Sequence, residues 1–216
     1  MATDTVVCFD LDGTLVHFDR AYDRILTEAF DQHLDGTDDV HLDAYDEAFF
    51  AAFDELEADP YAAGVSAVQE RLADDAAQND ELDHDELVAT VREAEFAASS
   101  VPDAARECLA ELADDDHTSL AVVTDGVGEW QRAKLDHHGL TDYFDEVVVS
   151  YDVGGHKADG APYDAIRDRF EADEYVMVGD DYESDVEGAR AAGFVPIHYE
   201  DDSEGPELFA TLRAML

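Results

Sequence analysis

Asp10 and Asp12 stand two residues apart at the end of the run Val6-Val7-Cys8-Phe9, and Gly13 follows at once. Neighbouring carboxylates repel, and each resists leaving water, so an apolar segment gains no stability by ending in them. A divalent cation is the simplest partner that would compensate. The plain alternative is an Asp-Gly turn with a helix cap. Two further apolar runs end in polar clusters. Ser119–Val123 leads into Thr124-Asp125-Gly126, and Tyr175–Val178 leads into Gly179-Asp180-Asp181, with Asp185 five residues after Asp180. Lys157 falls between the last two of these runs. It is one of only two lysines, with Lys134, among twelve basic residues. In so acidic a chain a retained lysine stands out, whereas a pair of aspartates alone means little.

The elements that must position these groups follow from periodicity. Residues 5–9, Ser119–Thr124, Glu146–Ser150, Tyr175–Gly179 and Val195–His198 read as five short, continuously apolar strands. Helical stretches fall between them at about Ala104–Ala113, Glu129–His138, Pro162–Phe170 and Glu183–Ala192, and a last one covers Pro206–Met215. Strands alternating with helices predict an α/β fold with a Rossmann-like, parallel five-stranded sheet and right-handed crossovers. In such sheets the reactive crevice lies beyond the carboxyl ends of the strands, where the polar clusters fall. Residues 17–98 break the alternation. Apolar residues recur there at helical spacing in four stretches, with no strand signal. The chain therefore reads as a core domain, 1–16 and 99–216, interrupted by an all-helical insertion, 17–98.

Composition narrows the function classes. Fifty-six acidic residues face twelve basic ones, for a formal net charge of −44. At molar salt the Debye length is about 3 Å, and the self-repulsion of such a surface is largely screened. The composition is that of a protein from an extreme halophile. The acids are interleaved with periodic apolar residues, which argues against a disordered acidic tail. The absence of a basic patch argues against nucleic-acid binding. No 18-residue apolar run predicts a membrane span, and the N-terminus lacks the pattern of a signal peptide. Two cysteines, Cys8 and Cys108, make no disulfide framework, so a cytoplasmic setting is expected.

The string Val6–Leu15 resembles the first motif of the haloacid dehalogenase-like (HAD) hydrolase superfamily, Asp-x-Asp-Gly-Thr-Leu after an apolar strand. Val122–Gly126 resembles the second motif, Gly155-His156-Lys157 the third, and Gly179-Asp180 with Asp185 the fourth. Gln131-Arg132-Ala133-Lys134-Leu135, Gly139-Leu140, Tyr143-Phe144-Asp145 and Gly188–Gly193 resemble its phosphoglycolate phosphatase-like branch, in which a helical cap is inserted between the first two motifs. Ala158 stands where that branch usually has Pro, and Asp181 and Ser184 stand where Ser and Asn are frequent.

The resemblance implies a Mg²⁺-dependent phosphohydrolase of small phosphorylated metabolites, acting through an aspartyl-phosphate. Asp10 would be the nucleophile, and Asp12 would protonate the leaving alkoxide and then activate water. Asp10, Asp180 and the backbone carbonyl of Asp12 would hold Mg²⁺, with Asp185 on a bound water or behind the ligands. Thr124 and the backbone N–H groups of Asp125 and Gly126 would bind phosphate oxygens, and Lys157 would pair with Asp10 and the phosphate. The alternatives are a phosphomutase of the β-phosphoglucomutase type, a 2-haloacid dehalogenase (disfavoured by Asp12), and a non-catalytic binding protein on the same fold. In the insertion, Arg20 and Arg24 lie one turn apart. They would either hold a second anionic group or pair with neighbouring carboxylates. His17 is a further candidate for touching substrate, and the aromatic residues of the insertion read as its core.

Overall fold

The computed structural model describes residues 3–34, 36–74, 83–200 and 208–212. Five strands form one parallel sheet: β1 (Thr3–Phe9), β4 (Thr118–Thr124), β5 (Glu146–Val149), β6 (Ala172–Gly179) and β7 (Val195–His198). Their order is β5-β4-β1-β6-β7, so β1 is central and the chain winds outward from it in both directions. This is the expected HAD-type, Rossmann-like architecture.

The alternation of side chains along each strand explains why the apolar runs are continuous. Val7 and Phe9 of β1, Leu120 and Val122 of β4, and Val176 and Val178 of β6 face one layer, with Leu109 and Leu112 of the helix α5 (Asp103–Ala113). Val6, Cys8, Ala121, Val123 and Met177 face the other layer, with Tyr163 and Ile166 of the helix Ala161–Arg169. Both faces are covered, so every position of a central strand must be apolar. Val6, Val7, Cys8 and Phe9 are fully buried.

Several boundaries differ from the sequence reading. β6 begins at Ala172, three residues before the apolar run, as an exposed extension. Ser150 leaves the strand and opens a four-residue helix, Ser150–Val153. The helix expected over Glu183–Ala192 is a π-helical segment, Tyr182–Gly188, followed by one short α-turn, Ala189–Ala191. Of the helix expected over Pro206–Met215, residues 208–212 are described and helical; the rest lies outside the described residues.

The chain divides into two compact units, Met1–His17 with Ser100–Leu216, and Phe18–Ser99. The second holds α1 (Tyr22–Phe30), α2 (Asp39–Asp54), α3 (Pro60–Asp74) and α4 (His84–Ala97). The chain passes between the units through two two-residue strands, β2 (His17–Phe18) and β3 (Ser99–Ser100), which pair with each other. That corrects the strand-free reading of residues 17–98; two residues are too few to carry a period. Asp38 and Asp83 start α2 and α4 by accepting backbone N–H groups of the first turn. Tyr45 and Tyr61 are buried, as expected of a core, and Phe49 stacks between Tyr45 and Phe53. Phe50, however, stands 55% exposed.

Candidate active site

β1 delivers Asp10 to the carboxyl edge of the sheet. Pairing with β6 continues one residue beyond the strand, where the Asp10 N–H donates to the Val178 carbonyl at 2.9 Å. The side chain is buried, and Lys157 Nζ donates to its Oδ1 at 2.7 Å. Lys157 is buried too, and its ammonium also lies 2.6 Å from Asp185 Oδ1. The loop carrying Lys157 is tied to the end of β4, because the Lys157 backbone N–H donates to Asp125 Oδ1 at 3.0 Å. Burial pushes the Asp10 carboxyl well above its ordinary range, against the pull of Lys157 and with the repulsion of Asp185 and Asp180 added. Burial would lower the Lys157 ammonium, but Asp10 and Asp185 outweigh it and hold the group above the usual lysine range. Asp185 is raised by burial, with Lys157 opposing.

β6 and the π-helical segment supply the other carboxylates. Thr14, fully buried, donates its hydroxyl to Asp180 Oδ1 at 2.8 Å. Gly13, at φ +87°, leaves room for the Asp180 carboxylate, which a Cβ there would overlap. Gly179 does the same for Asp185. The Asp181 N–H donates to Asp185 Oδ2 at 3.1 Å, and Asp181 caps the segment by accepting from the Ser184 N–H at 2.7 Å. That bond leads in holding the Asp181 carboxyl below its usual range. π-Turns are rare and concentrate at functional sites.

Asp10, Asp180 and Asp185 each place a carboxylate oxygen within 4.8 Å of the others. Three carboxylates around one ammonium leave a local excess of negative charge. The donors are hard oxygens converging from three directions, the chemistry that Mg²⁺ prefers. The residues present fit a divalent cation.

Asp12 is held separately. Lys134 Nζ donates to its Oδ1 at 2.6 Å, and Gln131 Nε2 donates to its Oδ2 at 2.8 Å. Both residues belong to the helix Gly128–His137 and both are buried. The same Gln131 amide nitrogen lies 3.0 Å from Thr124 Oγ1 and 3.2 Å from the Asp125 carbonyl. The sequence reading gave neither residue a role at the site. The rarity of lysine that singled out Lys157 applies equally to Lys134 and would have found it.

Several expected placements change. The Gly126 N–H, a candidate phosphate donor, donates to Ser150 Oγ at 3.0 Å. Ser150 sits at the tip of the neighbouring strand and takes that donor. The Asp12 carboxylate, bonded to Lys134 and Gln131, is not part of the three-carboxylate cluster; the metal role expected of Asp12 lies with its backbone carbonyl. Asp185, expected on a bound water or behind the ligands, has a carboxylate oxygen within 4.8 Å of those of Asp10 and Asp180. Arg20 pairs with Asp19 at 2.6 Å and Glu28 at 2.9 Å, and Arg24 with Glu28 at 3.1 Å, which is the plainer of their two readings. His17 Nε2 lies 2.8 Å from the Thr14 carbonyl, and its ring is near Tyr199.

Comparison with known proteins gives the family. Residues 5–193 match the haloacid dehalogenase-like hydrolase family. Among curated relatives, a ribulose-1,5-bisphosphate 5-phosphatase of Halopiger xanaduensis is 38% identical over 122 residues, covering 53% of this chain and 50% of that protein. A phosphoserine phosphatase of Thermus thermophilus is 40% identical over 77 residues, covering 35% and 31%. The chain thus spans half or less of the length of these relatives. Among solved structures, the HAD hydrolase YfnB of Bacillus subtilis, bound to magnesium, has a TM-score of 0.67 at 22% identity, with 99% of this chain and 100% of that one covered. The L-2-haloacid dehalogenase of Xanthobacter autotrophicus has 0.63 at 21% identity, covering 99% and 84%. At these identities the structural likeness shows the fold alone. With the fold, the ordered motifs and a family match running from β1 to the end of the π-helical segment and its following turn, the chain belongs to the haloacid dehalogenase-like hydrolase family.

Proposed function

We propose that this protein is a Mg²⁺-dependent phosphatase of small phosphorylated metabolites, of the phosphoglycolate phosphatase-like type, with the helical unit as its cap. The observation that carries the reading is the buried Asp10, bonded to Lys157 and clustered with Asp180 and Asp185 at the carboxyl end of the central strand. Phosphatase names among the relatives support it.

In this reading an Asp10 carboxylate oxygen attacks the phosphorus. The bond from phosphorus to the ester oxygen breaks, and Asp12 gives its proton to that oxygen. Asp12, now a carboxylate, takes a proton from water as the water oxygen attacks the phosphorus, and the bond to Asp10 breaks to release inorganic phosphate. Lys157 and Thr124 hold the phosphoryl oxygens through both steps. Asp10, Asp180, Asp185 and the Asp12 carbonyl are the groups that would hold Mg²⁺. When bound, the cation neutralises charge on the phosphoryl group. The acidic surface sets the working medium at molar salt in a cytoplasm of that composition.

The test is hydrolysis of 4-nitrophenyl phosphate in molar KCl, with and without Mg²⁺, by wild type and Asp10→Asn. Metal-dependent release that Asp10→Asn abolishes is the expected result. Inert wild type, with a panel of sugar and acid phosphates also inert, would overturn the proposal. Release that survives Asp10→Asn would overturn the nucleophile.

A further inference from the structure

The chain has two lysines, and each touches one of the two aspartates of the Asp10-Leu11-Asp12 turn: Lys157 on Asp10, Lys134 on Asp12. Lys157 has an evident purpose among three buried carboxylates. Lys134 does not, as a matter of stability. Its side chain is 1% exposed, and an ammonium removed from water is costly unless paired and hydrogen-bonded. An apolar residue would fill the inner face of the helix at lower cost. The other basic residues of this chain are arginines, a side chain better suited to structural ion pairs.

The partner explains the choice. The Asp12 side chain is 36% exposed, yet both its oxygens are fixed, one by Lys134 and the other by Gln131. Gln131 and Lys134 are three residues apart, so they rise from one helix face as neighbours. The Gln131 amide also reaches Thr124 Oγ1 and the Asp125 carbonyl. One helix face therefore sets Asp12 in register with the loop at the end of β4.

We propose that Lys134 and Gln131 are positioning residues that hold the Asp12 side chain in the orientation from which its protonated carboxyl passes a proton to the leaving oxygen. The inference rests on the phosphatase reading above. Proton transfer requires the donor within hydrogen-bond reach of the acceptor, and a displacement of about 1 Å costs on the order of a hundredfold in rate.

The leaving group separates positioning from general disruption. Nitrophenolate departs without a proton, whereas the alkoxide of glycerol 2-phosphate needs one. Alcohol or nitrophenolate release in the first turnover would be measured in molar KCl with Mg²⁺, for wild type, Lys134→Met and Gln131→Leu. For Lys134→Met, release from glycerol 2-phosphate should fall roughly 10–100-fold. The nitrophenolate burst should stay within about threefold, with KM similarly little changed. Gln131→Leu should show the same asymmetry to a smaller degree, and it carries the test if circular dichroism shows that Lys134→Met has not folded. Equal losses on both esters, or no loss on either, would overturn the positioning role. Wild type that releases neither group would instead overturn the phosphatase reading on which it rests.

Discussion

Lys157 Nζ lies 2.6 Å from Asp185 Oδ1, so the ammonium at the carboxylate cluster is shared between the end of β1 and the π-helical segment after β6. Both partners are buried. Each carboxylate is pushed up by burial and drawn down by the same lysine. Two carboxylates against one ammonium leave an excess of negative charge, which a proton on one of the raised carboxyls or a further cation would offset.

Removing the lysine tests that balance. Lys157→Met should destabilise the metal-free protein by about 3–5 kcal/mol, the usual cost of breaking a buried pair from one side. Mg²⁺ should raise the melting temperature of the variant more than that of wild type, because the cation then carries the whole compensation. Thermal unfolding in molar KCl, with and without Mg²⁺, measures both. Equal metal-induced shifts in the two proteins would contradict the account.

Asp185→Asn addresses the metal from the other side. The amide keeps the size of the side chain and removes one of the three clustered charges. The Mg²⁺ concentration for half-maximal activity should rise roughly 10–100-fold, the range seen when groups supporting a metal site are changed. Activity at saturating metal should fall much less. A Mg²⁺ titration that superimposes on wild type would place Asp185 outside the metal's influence.

Much of this was legible in the sequence because burial on both faces of a sheet writes a continuous apolar run. Val6–Phe9, Leu120–Val123 and Val176–Val178 stand out for that reason, and the polar residues at their ends mark one edge of the sheet. What stayed hidden lacked a period. His17–Phe18 is too short to alternate. The π-turns of Tyr182–Gly188 leave no pattern that an α-helical spacing rule detects. Lys134 sits on a helix with a polar sequence, so its periodicity reads as a surface position; only the rarity of lysine marks it before tertiary contacts bury it. The destination of the Gly126 N–H depends on where Ser150 leaves its strand, which no local signal fixes.

Gly179 yields a steric prediction. Its φ is not in the left-handed region, so alanine there meets no backbone strain, only the Asp185 side chain. Gly179→Ala should cost about 1–3 kcal/mol, as overpacking does, and should raise the Mg²⁺ requirement by displacing Asp185. Gly139→Ala is the control. That residue has φ +64° and open space around its α-carbon, so the substitution should lower the melting temperature without moving the Mg²⁺ midpoint. Parallel melting curves and metal titrations distinguish the two. A shifted midpoint in both variants would mean the effect is global.

The two cysteines report on the fold as a function of salt. Cys8 is in the central strand and Cys108 is on α5, in the opposite layers of the core, and both are buried and free. Burial pushes the Cys108 thiol up to about 11 and the Cys8 thiol higher still. The thiolate is the reactive form, so both groups are protected by their ionisation as well as by access. In molar KCl at pH 8, neither should react with an aromatic disulfide reagent over the time of an assay. At 0.1 M salt the Debye length is about 10 Å, and the repulsion within a chain of net charge −44 acts over neighbouring side chains. Both thiols should then react, in step with loss of the near-ultraviolet circular dichroism signal. Cys8 lies in the strand that carries Asp10, so its exposure should track the loss of phosphatase activity. Thiols that stay silent at low salt, in a protein still folded and soluble, would show that the acidic surface is not an adaptation to molar salt.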